Sequence, residues 1–312
     1  MATMTVKYLT VDGETIRRVL SVQDAVAALA VGFQKRSGAD PIRTSVPWAA
    51  GELLVMPSEH GQFAGVKLLT VAPDAPNRTA PRIQGLYVLF DANSLTPLAV
   101  LEAEALTTLR TSAVSALVTS VLAAPEASRL VLFGTGPQAR AHANAINAVR
   151  PIRSIVVVGR DIDRARDLAG DLAVELNVDA AVGSQSDVAD ADIVCTCTTS
   201  STPVFEGRLL QDTAHVNAIG SHYPGAREVD DDVVRRSLVV VEDGEAARRE
   251  AGDLIIPWRS GAVDDSVFAL DIAKLLNEPP ARGSRPTLFK SVGLGVEDLI
   301  VAREIVKHVT QR

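Results

Sequence analysis

At 312 residues the chain can bury a sizeable core, and its length allows two modest domains, which the pattern below favours. A hydrophobic share of 47% beside 22% charged residues is that of a globular protein. A formal charge of -7 and only 4% aromatic residues argue against a nucleic-acid partner. No apolar run reads as a membrane span, and the N-terminus lacks the charged-then-apolar pattern of a secretion signal, so a cytoplasmic protein is expected.

Asp12 and Ser21 read as helix N-caps, the second backed by Asp24, and Val22, Ala25, Val26, Leu29, Ala30 and Phe33 recur at helical spacing. The chain is therefore expected to open on helices. Short strand-like runs follow at Thr44 to Pro47, Leu53 to Met56, Phe63 to Thr70, Ile83 to Phe90 and Pro97 to Leu101, separated by turn residues, which predicts an antiparallel sheet. From Ala103 to Ala123 the composition is small and apolar, with Arg110 the one charge after Glu104. A charge in such a helix is costly unless it meets an anion, so Arg110 is a site candidate; the bland alternative is a structural ion pair.

Leu130 to Arg160 carries the strongest signal: an apolar run, Gly134-Thr135-Gly136-Pro137-Gln138-Ala139, a helical segment, and a second apolar run from Ser154 to Val158. Strand, glycine turn and helix present free backbone N–H groups to an anion, as a pyrophosphate requires. Gly134 permits the turn, Gly136 leaves room for the phosphate, and Ala139 lets helix and strand pack closely. Further strands are expected at Asp192 to Thr198, His215 to Ile219 and Leu238 to Val241. Thr198, Thr199 and Ser200, at the end of the first of these, should lie beside the cofactor, since open parallel sheets bind ligands at the carboxyl ends of their strands. The second strand of the nucleotide unit ends in Gly159-Arg160, which suits a 2′-phosphate, although Asp161 could still reach a ribose. NADP(H) is thus favoured over NAD(H). Cys195 and Cys197 lie two apart and would share a strand face, but a metal needs more ligands and the five histidines show no HExxH or paired-cysteine spacing, so the two cysteines read as buried core thiols; no metal is expected.

These pieces, with Met56-Pro57, Gly65-Val66-Lys67, Leu106 to Thr111, Asn217 to Gly220, Arg227-Glu228, Glu250 to Asp253, Lys290 to Gly293 and Glu297-Asp298, resemble the ornithine cyclodeaminase and mu-crystallin family over nearly the whole chain. The resemblance implies an α/β fold in which a Rossmann domain, 119–288, is inserted into an α+β substrate-binding and dimerisation domain, 1–118 plus 289–312, of a homodimer. It implies that Arg43, Lys67 and Arg110 hold a substrate carboxylate, which suits a forked guanidinium and a mobile ammonium. It adds Thr111, Ile219, Gly220, Lys290 and Gly293 to the expected cofactor contacts. Without it, Lys67 would read as a solvated strand residue.

Two departures weigh against a cyclodeaminase. Where that enzyme is expected to carry a glutamate and an aspartate for the distal amine of ornithine, this chain has Leu54 and His222, with Glu52 on the same strand face as Leu54. The reductase branch resembles the pattern better. The expected activity is NAD(P)H-dependent reduction of a small α-imino acid, cyclic or formed from a keto acid and an amine, and in reverse amino-acid dehydrogenation. Lys67 and His222 are the candidate proton donors, His222 being equally readable as a loop residue. Cyclodeamination of ornithine and nucleotide binding without turnover are the alternatives. Removal of Arg110 is expected to weaken substrate binding with little loss of stability.

Overall fold

The computed structural model describes residues 8–36, 38, 40–73, 80–281 and 283–311. It divides into two compact units, one of Met1–Gly32, Arg36–Thr111 and Leu294–Arg312, the other of Phe33–Lys35 and Ser112–Gly293.

In the first unit β1 (Leu9–Val11) precedes α1 (Gly13–Val19) and α2 (Val22–Gln34). Asp12 caps α1 by accepting from the Thr15 N–H at 2.8 Å, which holds the Asp12 carboxyl below its usual range. The Ser21 hydroxyl accepts from the Asp24 N–H at 3.1 Å and donates to its carboxylate at 2.7 Å, starting α2 where the sequence places it. Strands β2 (Thr44–Trp48), β3 (Gly51–His60), β4 (Phe63–Val71), β5 (Ile83–Asp91) and β6 (Pro97–Glu102) form, with β1, a six-stranded sheet in the order β1-β6-β5-β4-β3-β2. Four of its five pairings are antiparallel, as expected. The fifth is not: β1, a strand of three residues that carries no periodicity to detect, pairs parallel to β6. β3 also runs past Pro57, because β2 reaches only Val55 and leaves no partner there to miss the proline N–H.

α3 (Ala103–Leu122) begins where the Glu102 carboxylate accepts from the N–H groups of Glu104 and Ala105 at 2.7 and 2.8 Å. By length and composition it could cross a membrane, contrary to the expectation that no run comes near that, but 72% of its apolar window is buried within the protein. α3 crosses the boundary at Thr111, seven residues before the expected one at 118, because its second half already packs in the nucleotide unit. There Arg150 donates to the carbonyls of Thr119, Ser120 and Ala123, and Asn217 donates to the Thr119 hydroxyl.

The second unit continues as β7 (Arg129–Phe133), α4 (Pro137–Val149), β8 (Ser154–Val158), α5 (Ile162–Leu176), β9 (Asp179–Val182), β10 (Ile193–Thr196), β11 (His215–Ala218), α6 (Asp231–Arg236), β12 (Leu238–Val241), α7 (Gly244–Glu250), α8 (Gly252–Arg259), α9 (Ile272–Asn277) and β13 (Thr287–Lys290). Its seven strands are all parallel, ordered β12-β13-β11-β10-β7-β8-β9. Leu130, Val131, Leu132 and Phe133 are all buried, as a strand covered on both faces must be. Chain order reverses between β7 and β10, the switch point at which such sheets bind ligands. β9 and β13 are additions to the expected strands. β13 ends in a lysine, which breaks its apolar run, and the second compact unit ends shortly after it at Gly293. α10 (Gly295–Thr310) closes the first unit.

Candidate functional site

In the second unit a cavity of about 790 Å³ opens at the carboxyl ends of β7, β8 and β10, a size suited to a small-molecule ligand. Gly134, Thr135 and Gly136 line it together with Gly159, Arg160, Asp161, Arg164 and the segment Cys197 to Ser200. Gly134 sits at φ 115°, and a Cβ there would lie 2.5 Å from the Cys197 carbonyl oxygen, so glycine is required. Gly136 caps α4 without a side chain, Pro137 takes the first turn, and no heavy atom lies within 4 Å of a Cβ built on Gly136. Uncapped N–H groups facing open space are what a pyrophosphate needs. The buried Gln138 Oε1 has no hydrogen-bond partner, Ala139 is fully buried under the turn, and these residues fit a dinucleotide.

The Asp161 carboxylate is turned to α5, accepting from the N–H groups of Asp163 and Arg164 at 3.1 Å each. That leaves Arg160 and Arg164 as the cationic side of the cavity. Cys195 is a core thiol, pushed up to about 12 by burial. Cys197, a half-buried residue at the edge of the cavity, packs against the same core, and burial pushes its thiol up as well.

Behind the Thr198 loop stands a network that sequence reasoning did not single out. Glu228, fully buried and pushed up by desolvation, accepts from Thr196 Oγ1, Thr198 N and Oγ1, and Gly220 N at 2.6 to 2.9 Å. It ties the ends of β10 and β11 together, while the Ile219 N–H donates to the Thr196 carbonyl at 3.0 Å. Thr198 in turn holds the Ser200 N–H at 3.1 Å, and Thr199 lines the cavity beside them. Lys290 is given a different job from the cofactor contact expected of it. Its ammonium donates to the carbonyls of Ala218 and Ser221 at 3.1 and 2.6 Å and forms an ion pair with Asp253 at 2.9 Å, all within the core. The Gly293 N–H is likewise engaged, by Glu242 at 2.8 Å. His222 lies in the loop after β11, half-buried, with its ring 4.3 Å from that of Tyr223.

The first unit holds the expected cations. Lys67 on β4 is 1% exposed and Arg110 on α3 is 6% exposed. The Arg110 guanidinium meets Glu297 at 2.5 Å and Asp298 at 3.3 Å, and the Lys67 ammonium meets Asp298 at 2.7 Å and Thr107 Oγ1 at 3.3 Å. Arg43 is half-buried, and its charge acts on Lys67. Burial pulls the Lys67 ammonium down to about 8; Asp298 holds it up, and Arg110 and Arg43 push it lower. Thr111, expected at the cofactor, donates to the Thr107 carbonyl at 2.7 Å.

Glu297 and Asp298, both fully buried in the first turn of α10, stand in a block that carries the family resemblance, but the sequence reading gave them no role. Two adjacent acids inside Gly295 to Ala302, an otherwise apolar run, were the available signal, since buried carboxylates are rare without partners. Their ion pairs with Arg110 argue against the expectation that Arg110 can be removed with little loss of stability. Glu52 stands near Leu54 in sequence, but its carboxylate accepts from the Ser45 hydroxyl at 2.5 Å.

A parallel sheet with a glycine turn at its switch point defines a Rossmann-type nucleotide-binding enzyme, joined here to a unit with a buried cation pair. The sequence profile of the ornithine cyclodeaminase/mu-crystallin family matches residues 6–312, and the chain belongs to that family. It is 34% identical to a Delta(1)-pyrroline-2-carboxylate reductase of Bacillus cereus over 97% of both chains. It is 33% identical to the ketimine reductase mu-crystallin of Mus musculus over 84% of this chain and 83% of that one. Among solved structures, the Thermococcus litoralis Delta(1)-pyrroline-2-carboxylate reductase in complex with NADH and L-proline superposes with a TM-score of 0.92 at 27% identity, covering 97% of this chain and 98% of that one.

Proposed function

We propose that the chain reduces small α-imino acids with NAD(P)H, cyclic ketimines first, and runs in reverse as an L-amino-acid dehydrogenase. The observation that carries this is the buried Lys67–Arg110 pair: two carboxylate-binding cations, one of them an ammonium whose proton is labile near neutral pH. When bound, the reduced nicotinamide supplies the hydride. Arg43, Lys67 and Arg110 orient the substrate carboxylate, and Lys67 donates a proton to the imine nitrogen, with His222 the second candidate donor. The curated relatives named above are reductases of this class of imine.

Cyclodeamination of ornithine needs a carboxylate to hold the distal amine and take its proton. Leu54 offers none, and Glu52 is committed to Ser45. The test is a screen of NADPH and NADH oxidation with pyrroline-2-carboxylate, piperideine-2-carboxylate, and pyruvate plus ammonia or methylamine, beside ornithine with catalytic NAD and proline detection. Oxidation with the cyclic imines and no proline from ornithine is expected. Proline formation without imine reduction would restore the cyclodeaminase, and absence of all turnover would leave a nucleotide-binding protein.

Two finer assignments go with this reading. NADPH is preferred to NADH, supported by Arg160 and Arg164 on the cavity and by the engagement of Asp161 in capping α5. The protein is a homodimer, supported by the family resemblance and by the edge strand β2, all of whose residues are exposed, with Val46 and Trp48 at 40% and 54% on one face.

A further inference from the structure

We infer that Asp298 is the positioning residue of the carboxylate site, fixing the Lys67 ammonium in place and keeping it protonated for delivery to the imine nitrogen. The inference rests on the imine-reductase reading and deepens it.

Asp298 is placed by backbone rather than by a flexible arm. The first turn of α10 lies hard against β3, where a Cβ on Gly295 would come within 2.9 Å of the Pro57 carbonyl oxygen. The Ser58 hydroxyl donates to the Gly295 carbonyl at 3.0 Å, and Asp40 accepts from the Val296 N–H at 2.8 Å. A carboxylate in the first helical turn is further favoured by the helix dipole. Lys67, in the middle of β4 between Met56 of β3 and Tyr87 of β5, reaches this fixed acid at 2.7 Å.

An ammonium has three N–H groups. Thr107 Oγ1 accepts one of them at 3.3 Å, and the ammonium is held by its ion pair with Asp298 at 2.7 Å. The charges that act on Lys67 come from three elements besides its own: Asp298 from α10, Arg110 from α3, and Arg43 from the segment before β2. Tyr87, fully buried from β5, is a phenol pushed well above its ordinary value by desolvation and by Asp298, so it carries no charge at working pH. Glu297 is committed to Arg110 at 2.5 Å. Asp298 is therefore the anion that opposes both burial and two cations in holding the proton on Lys67.

The step balances. The imine carbon gains the hydride as the nicotinamide is oxidised, the imine nitrogen forms its N–H bond with a proton from Lys67, and the neutral lysine regains a proton from water. Only protonated Lys67 serves, so kcat/KM falls as pH rises through the pKa of the free enzyme's lysine. Without Asp298, burial and the charges of Arg110 and Arg43 push the proton off, and that basic limb moves toward acid.

The experiment compares pH profiles of kcat/KM for a cyclic imine in wild type, Asp298→Asn and Asp298→Glu, each checked for folding by circular dichroism; the titration of the substrate itself is common to all three. Asp298→Asn is expected to move the basic limb toward acid by about one to three pH units, the usual effect of an opposite charge at this range. Asp298→Glu, which keeps the charge and misplaces it, is expected to hold the limb near its wild-type position with a lower kcat. A folded Asp298→Asn whose rate drops equally at every pH would overturn the inference, leaving Asp298 a structural ion-pair residue. If Asp298→Asn does not fold, Asp298→Glu decides: a limb in its wild-type place supports the assignment, and one displaced to acid refutes it. A wild-type protein without imine turnover would overturn the reductase reading itself.

Discussion

Replacing Arg110 by alanine leaves two fully buried carboxylates, Glu297 and Asp298, with the Lys67 ammonium as the cation still paired to either of them by the distances above. Arg110 is only 6% exposed, so solvent screens little of this loss. Breaking a buried pair by removing one partner costs about 3 to 5 kcal/mol, a large share of the roughly 5 to 15 kcal/mol that holds a domain folded. Urea unfolding of Arg110→Ala should show that loss as a fall in midpoint with unchanged slope. Adding Glu297→Gln removes the charge that Arg110 had paired, so the double variant should recover about 1 kcal/mol or more, a coupling that a double-mutant cycle reads directly. KM for any accepted substrate should also rise more than about tenfold, since losing a charged partner in a desolvated site costs about 2 to 5 kcal/mol. A stability loss below about 1 kcal/mol would refute the charge accounting. A lost stability with unchanged KM would make Arg110 a structural ion-pair residue and remove it from the clamp.

Arg160→Asp should lower kcat/KM for NADPH and move the preference toward NADH, by the reversal of charge beside the 2′-position; a wild type that already prefers NADH would sink the assignment. Light scattering should give a mass near twice the 33.0 kDa of one chain, and Trp48→Asp should shift it to that of one chain; a wild-type protein of 33.0 kDa in solution would reject the dimer.

The nucleotide unit was legible in the sequence because its signals are local. An apolar strand, a glycine turn and a helix are written within Leu130 to Arg160, and the backbone N–H groups that would hold a phosphate follow from that order alone. Arg110 could be singled out for the same reason, as one charge in a helix of small residues. What it touches could not. The partners of Arg110 and Lys67 are 187 and 231 positions away, and no periodicity links a strand, a central helix and a closing helix.

Lys290 shows the converse. Its place in a family block says that the position matters, yet only the fold reveals that its ammonium is held by the carbonyls of Ala218 and Ser221 and paired with Asp253. Asp161 likewise stands beside the cofactor cavity by sequence, and its role was decided by two backbone N–H groups of α5. Local backbone chemistry is set by neighbours along the chain, so the sequence by itself determined the strands and the turn of the nucleotide motif and the class of cofactor, while the short strands β1, β9 and β13 emerged only from their pairing. The pairing of buried charges is set by which distant elements share a face, because a desolvated ion must find its counter-ion wherever packing brings one. That part was decided by the tertiary structure.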